Sequence, residues 1–197
     1  MSRIDILRRK VDALYANRNI EEADEWAGYL HRNHIFAVAD AAADMAKRFG
    51  GDAELAAAAG MLHDIADAVM KRREDGHGEK SIEIAERLLK ESSFSDDEIR
   101  HVIDDAIAKH SCRGTVRPET QEGKCMAGGD AIVHLSSDFY DHAIEDWIRR
   151  GETKEDLQKW GLEKIDRDLN VKIFFDDVRE EMRPHYERWK ARFESLA

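Results

Sequence analysis

The sequence contains few of the residues that mark disulfide-rich, secreted or membrane proteins. Cysteine and proline each occur only twice in 197 residues. Cys112 and Cys125 are too few for a disulfide framework and form no C-x-x-C pair, so we expect reduced thiols and a cytoplasmic location. Residues 1–10 carry no apolar segment, and no run of 18 apolar residues occurs. We therefore expect neither a secretory signal nor a membrane partner.

Positive charge is also in short supply. The chain has 31 lysine and arginine residues against 42 aspartate and glutamate residues, a formal net charge of −11. Such a chain repels phosphate backbones, which argues against bulk nucleic acid as a partner. A local basic pocket could still hold a single phosphate group.

The composition predicts an all-α protein. Alanine, leucine, glutamate, lysine and arginine favour helix, and alternating β-branched strands are nearly absent from the sequence. We expect one helical domain over residues 1–150, extended by a C-terminal helical segment at 151–197 that packs on it. The aromatic residues of that segment could instead contact a partner chain, so monomer and homodimer both stay open.

An adjacent His63-Asp64 pair follows an alanine-rich helix predicted from Ala53 to about Asp64. This helix has almost no polar face, which is typical of a helix buried inside a bundle. A histidine and an aspartate are costly to bury there unless something pairs with them, and a bound cation is the simplest partner. The pair is therefore predicted to form the centre of a metal site.

A further histidine precedes this helix in the chain. Asn33 is a plausible N-cap for a helix that runs to about Phe49, which puts His34 in the first turn, bordering the buried stripe. His31 shares much of that direction if the helix begins earlier. His34 is the preferred ligand, and His31 remains an alternative.

Three more candidates follow. His77 lies between two glycines in a charged loop, where the backbone can come close to a ligand. His110 continues the apolar stripe of a helix that starts with a Ser95/Glu98 capping box. Asp130 lies on the inward side of a long helix predicted from about Glu122 to Arg149. His134 and Asp138 continue the face of Asp130 and are candidates for supporting the site.

Together these residues resemble the HD-domain superfamily of metal-dependent phosphohydrolases. The imidazole and carboxylate groups suit Mn, Fe, Mg, Co, Ni or Zn. The resemblance covers about residues 33–135. It is carried by His34 with Val38 four residues later, by the approach Gly51–Leu55, by Met61-Leu62-His63-Asp64-Ile65, and by Gly129-Asp130-Ala131.

The resemblance implies a helical bundle in which one metal is held by His34, His63, Asp64 and Asp130. A subset of the superfamily adds two histidines for a second metal, and His77 and His110 match those positions. We therefore expect two divalent ions bridged by Asp64.

The implied reaction is hydrolysis of a nucleotide or related small phosphoester by a metal-activated water. Asp64 is expected to orient that water, and Asp67 or a supporting histidine to move the proton. Asp67 stands where signalling-nucleotide members often have lysine, and Ala37 where they often have arginine, so cyclic dinucleotide hydrolysis is not assigned. The basic residues predicted near the substrate are Lys71, Lys109, Arg113 and Arg117. A di-iron oxygenase and a non-catalytic, metal-stabilised binding module remain as alternatives.

Overall fold

The regular structure is helical throughout residues 1–196, the part of the chain that the computed structural model describes. This confirms the predicted all-α class. The ten α-helices are α1 (Arg3–Ala16), α2 (Ala27–Asn33), α3 (Ile35–Phe49), α4 (Ala53–Leu62), α5 (His77–Glu91), α6 (Asp96–His101), α7 (Gln121–Ser136), α8 (Phe139–Arg149), α9 (Lys154–Arg167) and α10 (Asp176–Glu194). Between them lie a 3-10 turn at Ile65–Ala68 and two π-helical segments at Val102–Ile107 and Asp168–Lys172.

Polar side chains define several helix starts, as expected from the sequence. Ser95 and Glu98 form the predicted capping box at α6. The carboxylate of Asp52 accepts hydrogen bonds from the first-turn amides of Glu54 (2.8 Å) and Leu55 (3.1 Å) at α4. These caps fix where the central helices begin and so which residues lie at their ends.

Helices α3, α4 and α7 form the centre of the bundle through small residues. A Cβ at Gly60 of α4 would lie 2.8 Å from Cα of Ala39 in α3, and a Cβ at Gly129 of α7 would lie 2.8 Å from the backbone nitrogen of Ala42. All of α4 from Leu55 to Leu62 is buried, as the prediction required. The close packing brings the start of α3, the end of α4 and the middle of α7 to one place.

Three local predictions were wrong. The helix predicted from Glu122 to Arg149 is two helices, because Ser137 is extended and its hydroxyl accepts a 3.2 Å hydrogen bond from the amide of Phe139. Asn33 is the last residue of α2, so His34 forms the junction with α3. His77 begins α5 after Gly76, whose φ of +85° suits only glycine well.

The C-terminal segment lies against α7 and α8. The indole of Trp189 in α10 donates a 2.8 Å hydrogen bond to the carbonyl of Leu135 in α7. Phe193 is fully buried between α8 and Gly161 of α9. Ala197, the last residue of the predicted extension, lies outside the described residues. Across residues 1–196, no helix has both the length and the apolar character that crossing a membrane requires.

Candidate metal centre

Asp130 is the point on which the buried histidines converge. Its Oδ1 atom lies 3.2 Å from Nε2 of His34, 3.3 Å from Nε2 of His134 and 3.8 Å from Nε2 of His63. The three histidines come from the α2–α3 junction, from α7 itself and from the residue after α4. The close approach of α3, α4 and α7 therefore builds this cluster.

Asp64 joins a fourth histidine to the cluster. One carboxylate oxygen, Oδ2, lies 3.6 Å from Nε2 of His63, and the other, Oδ1, lies 3.8 Å from Nε2 of His110. His110 does not stand on a regular helix, because it follows the π-helical segment Val102–Ile107 in a tight turn. Asp64 thus faces two imidazoles from different parts of the chain.

Backbone carbonyls fix the orientation of two imidazole rings. Nδ1 of His63 lies 2.9 Å from the carbonyl of Gly60, and Nδ1 of His110 lies 2.7 Å from the carbonyl of Ile107. A carbonyl can only accept, so Nδ1 carries the proton in both rings and Nε2 presents its lone pair in the neutral form. Both rings are held as metal-ligating histidines usually are.

The protonation states suit cation binding. Burial lowers the pKa of His110 to about 4 and that of His134 to about 3, and it also lowers the pKa of His34. These imidazoles are therefore neutral at pH 7. Burial alone would raise the pKa of Asp130, but the histidines and Lys172 around it hold that pKa well below its usual range. The centre thus combines neutral nitrogen donors with an ionised carboxylate.

The residues fit a divalent cation. Oδ1 of Asp130 is buried yet accepts no hydrogen bond within the described part of the chain. A buried carboxylate oxygen without a partner is costly. Ligand atoms of His34, Asp130 and His134 lie within 4.8 Å of one another, as a shared ion requires. His134, which the sequence indicated only as a supporting residue, is thereby a candidate ligand.

A second group surrounds Asp67, beside Asp64. Nε2 of His77 lies 2.8 Å from Oδ1 of Asp67, and Arg72 pairs with both Asp67 and Asp64, the latter at 3.0 Å. Burial would lower the pKa of His77, but the carboxylate of Asp67 raises it. In this arrangement His77 contacts Asp67 rather than Asp64. Arg72, which the sequence analysis missed, supplies a cation close to the place where related sequences often have lysine.

The C-terminal segment supports the other side of Asp130. Lys172, only 3% exposed, pairs with Oδ2 of Asp130. Asp168 lies 3.1 Å from Nδ1 of His134, and it accepts hydrogen bonds from Lys164 (2.7 Å) and from the hydroxyl of Tyr140 (2.5 Å). Burial lowers the pKa of Lys164 to about 8, although Asp168 opposes that change. The sequence pattern of this segment did not indicate any chemistry.

Comparison with known proteins agrees with this geometry. The family model described as HD domain matches residues 32–133, just over half of the chain. The chain belongs to the HD domain family. Members of the family are metal-dependent phosphohydrolases, and HD domains bind divalent metals, which confirms the family resemblance seen in the sequence.

Curated relatives share this HD region. Ribonuclease Y of Bacillus pumilus is 32% identical over 133 residues, which cover 66% of this chain and 24% of that protein. Ribonuclease Y of Enterococcus faecalis is 32% identical over 139 residues, 71% of this chain and 24% of that protein. This chain therefore spans about a quarter of the length of these relatives. No solved structure matches.

A cavity of about 510 Å³ adjoins the candidate metal centre formed by Asp64, Asp130 and the surrounding histidines. His34, Asp64, His110, Asp130 and His134 line its inner end. His31 lies elsewhere, stacked on Tyr15 and 2.9 Å from Asp12, so the structure brings His34 rather than His31 to the centre. Asp67 is fully buried and does not line the cavity.

Only part of the predicted substrate-binding set lines this cavity. Lys71 and Arg113 do. Lys109 pairs with Asp105 and Glu119 at 2.8 and 2.9 Å. Arg117 donates to carbonyls of its own loop, including those of Cys112 and Gly114 at 2.9 Å. The cavity wall instead contains further cations that the sequence analysis did not select, namely Arg72, Arg73, Arg150, Lys164, Arg167 and Lys172.

Proposed function

We propose that this chain is a metal-dependent phosphohydrolase that acts on a nucleotide or a related small phosphoester. The observation that carries the proposal is the buried Oδ1 of Asp130, which faces three imidazole nitrogens and has no hydrogen-bond donor in the described residues. This group lies at the inner end of a cavity, so a substrate can reach it. We expect two ions, as the positions of His77 and His110 in the sequence suggest.

The size and charge of the cavity support a small anionic substrate. Its volume, about 510 Å³, falls within the range of small-molecule sites. Its wall carries eight lysine and arginine residues, whereas the whole chain has a net charge of −11. The same wall carries five aspartate and glutamate residues, so it has a formal excess of three positive charges. A local excess of this size favours a compact phosphate compound over a long nucleic acid.

The name of the relatives, ribonuclease Y, points to RNA as their substrate. That name supports phosphorus chemistry at an HD centre. Because the shared region is about a quarter of those proteins, a short RNA is tested beside the nucleotides as a comparison substrate.

The chain's own residues have distinct roles in the proposed reaction. Bound divalent cations would polarise a phosphoryl oxygen and lower the pKa of water. His34, His63, Asp64, His110 and Asp130 would hold the ions. His134 is a further candidate ligand, and the sequence pattern adds His77. Lys172 balances the charge of Asp130 from the side away from the histidines.

Asp67 has a different role from the one the sequence suggested. Its oxygens are occupied by His77 and Arg72, and it has no exposed surface. We infer that Asp67 positions these two side chains.

The remaining alternatives differ in how well they suit the cavity. A binding module that uses metal only to stabilise the bundle needs no space beside the ion, so the adjoining cavity speaks for an enzyme. A di-iron oxygenase would use the same ligands and would consume oxygen. Cytoplasmic location and a monomeric or homodimeric state remain predictions.

The test is phosphate release by untagged protein, stripped with EDTA and reloaded with Mn, Fe, Co, Ni, Mg or Zn. The substrates are nucleoside mono-, di- and triphosphates and a short RNA. Asp130→Asn should abolish metal-dependent turnover, whereas Asp166→Asn, an exposed aspartate on α9, should leave it unchanged. Oxygen uptake with iron and no phosphate release, or cleavage of RNA alone, would contradict the proposal.

A further inference from the structure

The outer part of the cavity is built by a region beyond the matched HD segment. Trp147 of α8 and Trp160 and Arg167 of α9 line it, whereas the family model ends at residue 133. The two indole rings lie 5.0 Å apart between centroids, with their planes tilted by 45°. Together they form an aromatic wall of the cavity.

Arg167 differs from the other inward cations of the C-terminal segment. Lys164 pairs with Asp168 and Lys172 pairs with Asp130. Within residues 1–196, Arg167 has no carboxylate partner, and its buried Nε donates no hydrogen bond. A guanidinium donor buried without an acceptor is costly, and an anion in the cavity would relieve that cost.

The helical register places Arg167 on the cavity side of α9. Trp160, Lys164 and Arg167 are spaced i, i+4 and i+7, so they share one face of the helix. Lys164 on that face lies 2.9 Å from Nδ1 of His134, next to the metal centre. Lys164 therefore stands next to the metal centre, and Trp160 and Arg167 lie about one helical turn from it on either side, along the cavity wall.

Trp147 adds a second buried donor. Its indole Nε1 has no hydrogen-bond partner in the described residues. An aromatic wall with an unpaired indole N–H and an unpaired guanidinium suits a ligand that combines a planar ring, polar edge atoms and a negative group. Nucleotides have all three.

We propose that Arg167 and the Trp147–Trp160 wall form a second anion subsite, which binds a phosphoryl group other than the one that is hydrolysed. The proposal rests on the phosphohydrolase function and narrows its substrate to compounds with at least two phosphoryl groups and an aromatic ring. Specificity then comes from the C-terminal segment, whereas the HD centre supplies the reaction.

The test separates binding from hydrolysis by titrating protein in EDTA with adenosine, AMP and ADP in a calorimeter. The variants are Arg167→Gln and Arg167→Lys, with Arg183→Gln as the matched control on α10. Within residues 1–196, the carboxylate that Arg183 pairs with is the exposed Glu180 of its own helix, at 2.8 Å.

Wild-type protein and Arg183→Gln should bind AMP and ADP at least tenfold more tightly than adenosine, because only the two nucleotides carry a phosphoryl group for Arg167. Arg167→Gln should weaken ADP binding about tenfold or more and leave adenosine unchanged, because a charge-assisted contact is lost. Arg167→Lys should recover part of the affinity, since it keeps the charge without the planar fork. Urea unfolding of each variant checks that the fold is intact.

Equal ADP affinity in wild type and Arg167→Gln would overturn the subsite, as would equal wild-type affinities for ADP and adenosine or the absence of any binding. The two proposals fail separately. If ADP binding depends on Arg167 but no metal-dependent hydrolysis occurs, the subsite proposal stands and the phosphohydrolase proposal is rejected. If hydrolysis occurs and Arg167→Gln does not change its KM, the phosphohydrolase proposal stands and the subsite proposal is rejected.

Discussion

The contact between α3 and α4 gives the sharpest prediction about stability. Gly60 lies in the last turn and a half of α4, and a Cβ there would stand 2.8 Å from Cα and 2.9 Å from the nitrogen of Ala39. These are backbone atoms of a neighbouring helix, so no side-chain rotation can relieve the clash. Gly60→Ala must therefore move the two helices apart.

The size of the effect follows from two opposing contributions. Replacing glycine by alanine inside a helix stabilises it by about 1 kcal/mol through backbone entropy. Overpacking a close contact costs about 1–3 kcal/mol, and backbone neighbours belong at the upper end of that range. We expect Gly60→Ala to lower the free energy of unfolding by about 2 kcal/mol.

Urea denaturation followed by circular dichroism measures this change, with Gly78→Ala as the matched control. Gly78 is also helical, in α5, but a Cβ there meets nothing within 4 Å. The control should be as stable as wild type or slightly more stable. If Gly60→Ala behaves like Gly78→Ala, the close approach of α3 and α4 is refuted, and with it the reason why His34 and His63 meet.

Three further predictions concern the surroundings of the site. Asp105→Asn should cost about 2 kcal/mol, because it removes charged hydrogen bonds to the loop before α7. Hydrogen bonds, chiefly from Lys109, outweigh burial and lower the pKa of Asp105 to about 2. Its contribution is therefore present above pH 4 and lost toward pH 2, and acid titration of the unfolding free energy should be flatter in the variant. Lys172→Met should destabilise metal-free protein by about 3 kcal/mol, because it leaves the buried carboxylate of Asp130 unpaired. Added Mn²⁺ should raise the Tm of this variant more than that of wild type. Equal increases in Tm would contradict the Lys172–Asp130 ion pair. Trp189→Phe should cost about 1–2 kcal/mol in urea unfolding, since a buried carbonyl loses its donor, and no change would argue against the docking of α10.

The sequence predicted the centre best where small residues surround the ligand. The alanines before His63 and the glycines before Asp130 indicate helices that approach closely, and such helices bury any polar residue they carry. His110 was selected by helical periodicity, yet it follows a π-helical segment and reaches Asp64 from a turn. The structure therefore brings His110 to Asp64, although the regular α-helix on which the prediction relied is replaced there by a π-helical segment.

Residues whose partners are distant in sequence could not be found in this way. Lys164, Asp168 and Lys172 are spaced four residues apart, a pattern that usually indicates a solvated, salt-bridged helix face. Only the packing of the π-helical segment Asp168–Lys172 on α7 turns that face inward. Arg72 lay within a run of charges that reads as an exposed loop, and its partner Asp67 became visible only in three dimensions. Charged side chains that face the protein interior can therefore be recognised only from the tertiary structure.

The central claim is that Asp130 and the histidines around it hold divalent metal. Elemental analysis of untagged protein tests it most directly, with Asp130→Asn and His110→Ala measured beside wild type and Asp166→Asn as the control. We predict about two metals per chain in wild type and control, and about one in each of His110→Ala and Asp130→Asn. Wild-type protein that binds no metal after incubation with each candidate ion, or Asp130→Asn that retains the full content, would contradict the account.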